Sequence, residues 1–432
     1  MNTKLLVLVL LSLGLTTSAS PQGSLTPPGA PAPTMKTLDQ IEPRKEVNAT
    51  NTPGNGSALF LISTPGSYYF GGNITGVSGR AGIAISADNV TLDLNGFALA
   101  GVAGSTSGIA TLGGIRSNIV IRNGTVANWG DAGLALVAQN SHYHQLQVSS
   151  NASDGLRVAG TNVRVTKCGF FGNGGSGIAL NGSPDSMTVI GCTASSNTGN
   201  GISAGSGSTL TNCAAGSNSG NGITAGEGST LTNCTALSNG LDGIVAATGS
   251  TLVNCTARLN TSDGIQTANH ATLRGCTLSE NGGHGINGSS NTVIEHCAVR
   301  ANDGNGIVVA DASLISASVV NLNGKKPGSP VNPASDGIEL GARNRVLNCT
   351  IFSNGQHGIL SASANNRNYI EGCLMHSNGA FAISLQGTAN TVIKNQVAGN
   401  TGGTINQAGG GIAPIHFASD PVGTIHPLAN FQ

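Results

Sequence analysis

The chain has 432 residues, Lys+Arg and Asp+Glu in equal number at 19 each, 9% charged and 3% aromatic residues, and 65 glycines. A formal net charge of zero removes the electrostatic drive toward nucleic acid or an anionic membrane, which needs Lys and Arg in excess on one face. So much glycine would weaken helix interiors throughout, which argues against an ordinary helix-rich enzyme, and the 38% hydrophobic content is too high for a disordered linker.

Residues 1–20 read as a secretory signal: Lys4 supplies the positive start, Leu5 to Leu15 the apolar run, and Thr17-Ser18-Ala19 the small residues for cleavage. The run is too short to span a bilayer, and no later apolar stretch is long enough, so the mature chain is expected outside the cytoplasm: secreted, periplasmic or on the cell surface. Residues 21–34, rich in Pro and Ser, read as a disordered leader.

Farther along the chain a repeat takes over. Cys192, Cys213, Cys234, Cys255, Cys276 and Cys297 are each 21 residues apart, and Cys168, Cys349 and Cys373 continue the series at longer intervals. Asn follows each Cys by five residues, as at Asn197, Asn218, Asn239, Asn260 and Asn281, and this column extends through Asn128, Asn151, Asn323 and Asn400. Gly and an aliphatic residue come next, as in Gly243-Ile244, Gly264-Ile265 and Gly285-Ile286. A unit this short cannot hold a helical hairpin. Its apolar residues alternate, as in Leu252, Cys255 and Ala257 with Thr251, Thr256 and Arg258 between them, which is the pattern of short strands with one buried face.

Stacked in parallel, such units make an all-β solenoid whose equivalent residues lie about 4.8 Å apart. From Asn95 to Asn400 the count is roughly 13–14 turns, on the order of 60 Å at that spacing. The Asn column is expected to cap a bend in every coil, with each residue tolerating the left-handed region and bonding the next amide. The Cys column reads as buried free thiols: nine is odd, and parallel in-register neighbours hold their Cβ atoms beyond disulfide range.

These slots resemble those of a right-handed parallel β-helix of the pectate lyase superfold, in particular its internal asparagine ladder. Thr37-Leu-Asp-Gln-Ile41, Pro65-Gly-Ser-Tyr-Tyr69 and Val90-Thr-Leu-Asp-Leu-Asn-Gly96 resemble the opening segment of secreted bacterial β-helix repeat proteins. The resemblance implies an N-terminal cap at 35–85, a β-helix over 86–405 and a C-terminal tail or cap at 406–432. It is specific for the fold and much less so for activity, since the superfold hosts lyases, hydrolases, epimerases and adhesins.

Candidate chemistry lies where the columns depart from Ser and Thr. Between Cys192 and Leu241 the only charged residue is Glu227, whereas Asn254 to Asp311 carries a mixed-charge band. Just before the Gly-Ile step, Asp242, Asp263 and His284 stack in successive coils, a plausible acid/base column. Arg258 and Arg300 share the position three residues after Cys, with Ser279 between them, and Arg274 and Glu295 share the position two before it; guanidinium forks there match the carboxylates of uronates. Arg258, Arg300, Asp263 and His284 are therefore the catalytic candidates, and Asp242, Arg274, Glu295, Lys325 and Lys326 the substrate-binding ones. The two lysines sit in an insertion, Gly324 to Asp336, one coil past the band.

Gly283-His284-Gly285 resembles the Gly-His-Gly motif of polygalacturonases, whose Asn-Thr-Asp, Asp-Asp and Arg-Ile-Lys motifs are absent here. No cofactor is evident, and Asp242 with Asp263 makes a thin case for Ca²⁺. His142-Tyr143-His144 puts two imidazoles on one strand face, with no third metal ligand in view. Trp129, the sole tryptophan, follows the Asn slot and either stacks on a sugar or covers the end of the core. The expected function is binding or processing of a polysaccharide or cell-surface glycan, as a polyuronate lyase or glycoside hydrolase. The alternative is a non-catalytic structural or adhesive cell-surface rod.

Overall fold

The computed structural model describes residues 43–182, 185–361, 367–387, 389–407, 411–412, 415–416 and 428–431. The signal and leader expected at 1–34 lie outside the described residues, as does most of the 406–432 tail. The described residues contain strands, turns and bends but no helix.

Each regular coil holds three short strands, such as Ile244–Ala246, Thr251–Val253 and Thr256–Arg258, called here the first, second and third strand. Each pairs in parallel and in register with its counterpart one coil on, for example Ile244 with Ile265, Leu252 with Leu273 and Ala257 with Leu278. The first strands stack from Ala58–Ile62 to Gly403–Gln407, which makes a solenoid of about 16 turns. The turns beyond the 13–14 counted from Asn95 come from residues 58–85, where Ala58–Ile62 and Ala81–Ile85 already pair in register. That segment, expected as a cap, lacks the Cys and Asn slots, and its coils are longer and unequal, so the period does not show there.

Regular coils turn on three left-handed residues, such as Gly249 (φ 70°), Asn254 (φ 53°) and Leu259 (φ 58°). This corrects the role expected for the Asn column. The residue before each column Asn is the left-handed one, as at Ser238, Leu259 and Glu280, and the column Asn itself points inward and is buried. Asn260 Nδ2 donates to Asn281 Oδ1 at 3.0 Å and to Ala236 O at 3.2 Å, while Asn260 Oδ1 accepts from both Asn239 Nδ2 and Asn239 N. The ladder runs in this way from Asn151 to Asn400, its members buried as far as Asn378 and the last, Asn400, half-buried.

Asn128 is not part of the ladder. It takes the left-handed position (φ 63°), and Trp129 fills the inward slot. The Trp129 amide donates to Asn151 Oδ1 at 3.1 Å, and its indole Nε1 donates to Leu99 O at 3.2 Å. Room for the ring comes from glycines: a methyl group at Gly76 or Gly82 would lie 2.5 or 2.7 Å from it. Trp129 is therefore core rather than a sugar platform.

All nine cysteines are buried free thiols. Cys255 Sγ, for instance, lies 3.6 Å from the carbonyl of Leu231. For Cys234, Cys255 and Cys276 the preceding thiol lowers the pKa, the following thiol raises it, and burial carries each up to about 12. The neighbouring thiol holds Cys168, Cys297 and Cys349 below the usual thiol value instead, so what keeps the column unreactive in the folded chain is the burial of all nine groups. A colorimetric thiol titration without reductant is expected to find no fast-reacting group in the native protein and nine after denaturation. A smaller denatured count would reveal disulfides and contradict this column.

Candidate functional site

The strands present two kinds of outer surface. The second and third strands carry the charged pairs on an exposed face. Arg258, at the end of Thr256–Arg258, pairs with Glu280 at 3.0 Å, and Arg274, at the end of Thr272–Arg274, pairs with Glu295 at 2.6 Å. Arg300 ends Ala298–Arg300, two coils above Arg258 with Ser279 between. Lys325 and Lys326 begin a loop pinned to the coil below, where Ser335 Oγ donates to Asp303 O at 2.9 Å and Ser329 Oγ to Asp303 Oδ2 at 3.2 Å.

The first strands border a groove made of two adjoining cavities of about 500 Å³ each, which share Gln266 and Thr267. It runs from Leu180 to Leu340, past Ala204, Ala225, Ala246, Thr267, Gly288 and Val309 in successive coils. Seven steps of about 4.8 Å give a length of about 34 Å. Small residues where the chain leaves each first strand create the concavity. The half toward Leu180 is lined mainly by Ala, Gly, Ser and Thr, and the other half presents Gln266, Asn287 and Glu339. The hydroxyls of Thr224 and Thr267, in the groove wall, are buried without a hydrogen-bond partner.

Along one flank of these strands stand Asp242, Asp263 and His284, stacked as expected, and the structure shows what they bond. Asp242 Oδ1 accepts from the amide of Asp263 at 2.8 Å, Asp263 Oδ1 from the amide of His284 at 2.7 Å, and His284 Nδ1 from the amide of Asn305 at 3.0 Å. The column continues upward, with Asn305 Oδ1 accepting from the Asp336 amide and Asp336 Oδ1 from the His357 amide. Each side chain thus caps the same turn in the next coil, and because Nδ1 of His284 accepts, its neutral ring carries the proton on Nε2.

Two members of this column bond residues that line the groove. Asp263 Oδ2 accepts from Asn287 Nδ2 at 2.8 Å, and Asn305 Nδ2 donates to Glu339 Oε2 at 2.6 Å. Asp336 is 2% exposed, and its second carboxylate oxygen makes no hydrogen bond. Burial, with the charge of Glu339, raises its pKa to about 7 against the bond from the His357 amide, so near neutrality Asp336 holds a proton beside a second carboxyl.

Of Asp242, Asp263 and His284, the structure links only Asp263 to a groove-lining residue, through Asn287, and none of the three lines either cavity. It keeps Arg258, Arg274, Glu295, Arg300, Lys325 and Lys326 out of the lining of both cavities. The sequence reading missed Glu339, Asp336, Asn287 and Gln266. The signal was available: Asp336 precedes a Gly-Ile step like its column mates, and Gln266, Asn287, Val308 and Glu339 form a column two residues after that Gly. Among the described residues no group of three or more His, Cys, Asp and Glu is placed to hold a metal ion. No helix among them is long and apolar enough to cross a membrane.

Comparison with known proteins follows the fold. The A-module of mannuronan C-5 epimerase AlgE4 from Azotobacter vinelandii is similar at 16% identity, covering 83% of this chain and 91% of that one, with a TM-score of 0.39. Pectate lyase Pel9A is similar at 16% identity over 62% of this chain and 71% of its own, with a TM-score of 0.31. The tailspike protein of E. coli bacteriophage HK620, solved with a pentasaccharide, is 10% identical over 80% of this chain and 72% of its own, with a TM-score of 0.43. No curated protein sequence matches the chain. The profile of the family described as right handed beta helix region matches residues 66–214, 203–332 and 332–417, and the chain belongs to that family.

Proposed function

We propose that the chain is an exported protein that binds a linear polysaccharide along the first-strand groove and hydrolyses it at the Glu339 end. The observation that carries this reading is the groove itself: about 34 Å long, floored by small residues, and ending at Glu339 beside the buried Asp336. Its half toward Leu180, where Asp185 is the one charged lining residue, suits the faces of sugar rings, and Gln266, Asn287 and Glu339 suit their hydroxyls. Asp336, with its pKa raised to about 7 by burial, is part protonated near neutrality beside Glu339. The pair gives its proton to the leaving glycosidic oxygen as the C–O bond breaks and takes one back from the water that attacks the ring carbon. A lining with carboxylates and no Arg or Lys favours a neutral glycan over a polyuronate. Export rests on the pattern at residues 1–20.

The test is a panel of neutral and uronic polysaccharides, assayed for new reducing ends and for unsaturated products. Reducing ends from a neutral glycan are expected, with kcat reduced at least about 100-fold in Glu339→Gln while glycan binding persists. Unsaturated products from a polyuronate, lost in Arg258→Glu and Arg300→Glu, would move the chemistry to the third-strand face and reject this site. Thr267→Val is expected to raise unfolding free energy by about 1 kcal/mol, because it removes a buried hydroxyl without a partner at a position where Val309 already fits, and to weaken glycan binding.

A second reading, a non-catalytic surface rod, is favoured by one observation. Asp242, Asp263 and His284 cap backbone amides just as Asn221 and Asn305 do, which accounts for that column without chemistry. Binding of a glycan by the groove without any product across the panel would select it.

A further inference from the structure

Away from the groove, on the strand Ser141–Ser149, His142 and His144 flank the buried Tyr143 and so project from the same outer face. That strand is paired on both sides, to Ile119–Ala127 below and Val163–Thr166 above, so its backbone is held in place. His142 Nε2 and His144 Nδ1 each lie 2.7 Å from one atom, Oγ1 of Thr166. The two rings are 5.3 Å apart and tilted by 46°. A hydroxyl has a single hydrogen and can donate it to one imidazole only, so the other ring must donate its own N–H or leave a lone pair facing a lone pair. Hydrogen bonding alone does not require two imidazole nitrogens aimed at one point. A chelated ion does.

We propose that His142 and His144, with Thr166 beside them, form a binding site for a first-row divalent transition ion, with Cu²⁺ bound most tightly and Ni²⁺ and Zn²⁺ less so. Imidazole suits these ions, and at a given set of nitrogen and oxygen ligands Cu²⁺ binds more tightly than Ni²⁺ or Zn²⁺. An ion held between the two nitrogens, at bonds of about 2.0–2.1 Å, takes the place of their hydrogen bonds to Thr166 Oγ1. Water completes the coordination on the His142 side, which borders a surface cavity lined also by Asn140, Asn162, Arg164 and Thr188. Ca²⁺ and Mg²⁺, which take oxygen ligands, do not fit. Of the two guanidinium groups in register with the pair, Arg122 is engaged by Asp93 at 3.0 Å and Arg164 is exposed.

Calorimetry of the untagged full chain with Cu²⁺ alone, and with Zn²⁺ and Ca²⁺ in separate arms, tests the site. One Cu²⁺ site is expected above the background of isolated histidines, with nitrogen hyperfine structure from two imidazoles in its electron paramagnetic resonance spectrum. His142→Ala and His144→Ala are each expected to weaken it at least about tenfold. His376→Ala, at an outer histidine that bonds the adjacent Ser377 and stacks on Phe352, is expected to leave it unchanged. Both site variants alter outward side chains, and unchanged melting curves confirm that they fold. The proposal is overturned if the His142→Ala/His144→Ala double variant binds Cu²⁺ with the wild-type affinity and stoichiometry, or if the wild type shows only the weak background.

Discussion

Replacement of Asn260 by leucine is expected to lower the free energy of unfolding by roughly 3–5 kcal/mol, among the largest effects available to one side chain here. Asn260 Oδ1 accepts from two donors of Asn239, its backbone N–H at 3.0 Å and its Nδ2 at 2.9 Å, and both are buried. Leucine offers neither an acceptor, so two buried N–H groups lose their partner at about 1–3 kcal/mol each. Ala236 O and Asn281 Oδ1 also lose a donor. Asn233→Gly is the control, because Asn233 is left-handed (φ 54°) and glycine keeps that conformation without strain. Asn233 donates to Asn212 Oδ1 at 3.3 Å in an exposed position, where water replaces the lost bond, and a change below about 1 kcal/mol is expected. Denaturant melts of the two variants decide the matter: similar losses would mean that the inner ladder is no stronger than the outer one.

The second large effect is a pH profile. Asp336 has a pKa of about 7 in the folded chain, against its ordinary value of 3.8. Below 3.8 both folded and unfolded states hold the proton, so the group costs nothing. Between those values the folded state binds a proton that the unfolded state has released, so stability falls as pH rises, and above about 7 the full cost of a buried charge is present. Asp336→Asn keeps an amide oxygen for the His357 N–H, as Asn305 does one coil below for the amide of Asp336, and it carries no charge at any pH. The variant is therefore expected to match the wild type near pH 4 and to exceed it at pH 8 by on the order of 3–4 kcal/mol. His357, which burial holds below the usual histidine value of 6.5, adds a contribution of opposite sign: the unfolded state binds more protons, so stability rises with pH up to that value. Wild type and variant share that contribution, and their difference isolates Asp336. Parallel profiles for the two proteins would contradict the buried, protonated carboxyl.

The same side chains show how far a reading of the sequence reaches. Cys255, Asn260 and Gly264 recur because each coil must place a small apolar residue, an internal amide and a chain reversal at the same height. A period of 21 with alternating apolar residues admits little else. Coils without those slots, as at residues 58–85, escaped the count although they pair in the same sheet. The left-handed positions were misplaced by one residue, because Asn is at home both in left-handed turns and in buried amide ladders, and the pattern does not say which. Trp129 shows the ambiguity from the other side: its neighbour Asn128 looked like a ladder residue, and only the packing of the indole beneath Asn151 reveals which of the two points inward.

For the candidate site the sequence drew attention to charge, since Arg258, Arg274 and Glu295 stand out against Ser and Thr. Ion pairs along neighbouring coils account for these three. The groove is made instead of what the first strands leave out, Ala204, Ala225, Ala246 and Gly288, residues whose smallness has no meaning until eight coils are stacked.

From the sequence alone follow the parallel solenoid, its inner thiol column, the recurrence of Asn in every regular coil, and the stack of Asp242, Asp263 and His284, because each depends only on which residue recurs at which step of a short repeat. The tertiary structure decided what those residues do. Backbone closure sets which amide each Asp caps and where the surface is concave. The insertion brings Asp336 back into its column beneath Glu339, and burial there, which no spacing encodes, keeps a proton on a carboxyl that would otherwise be ionised.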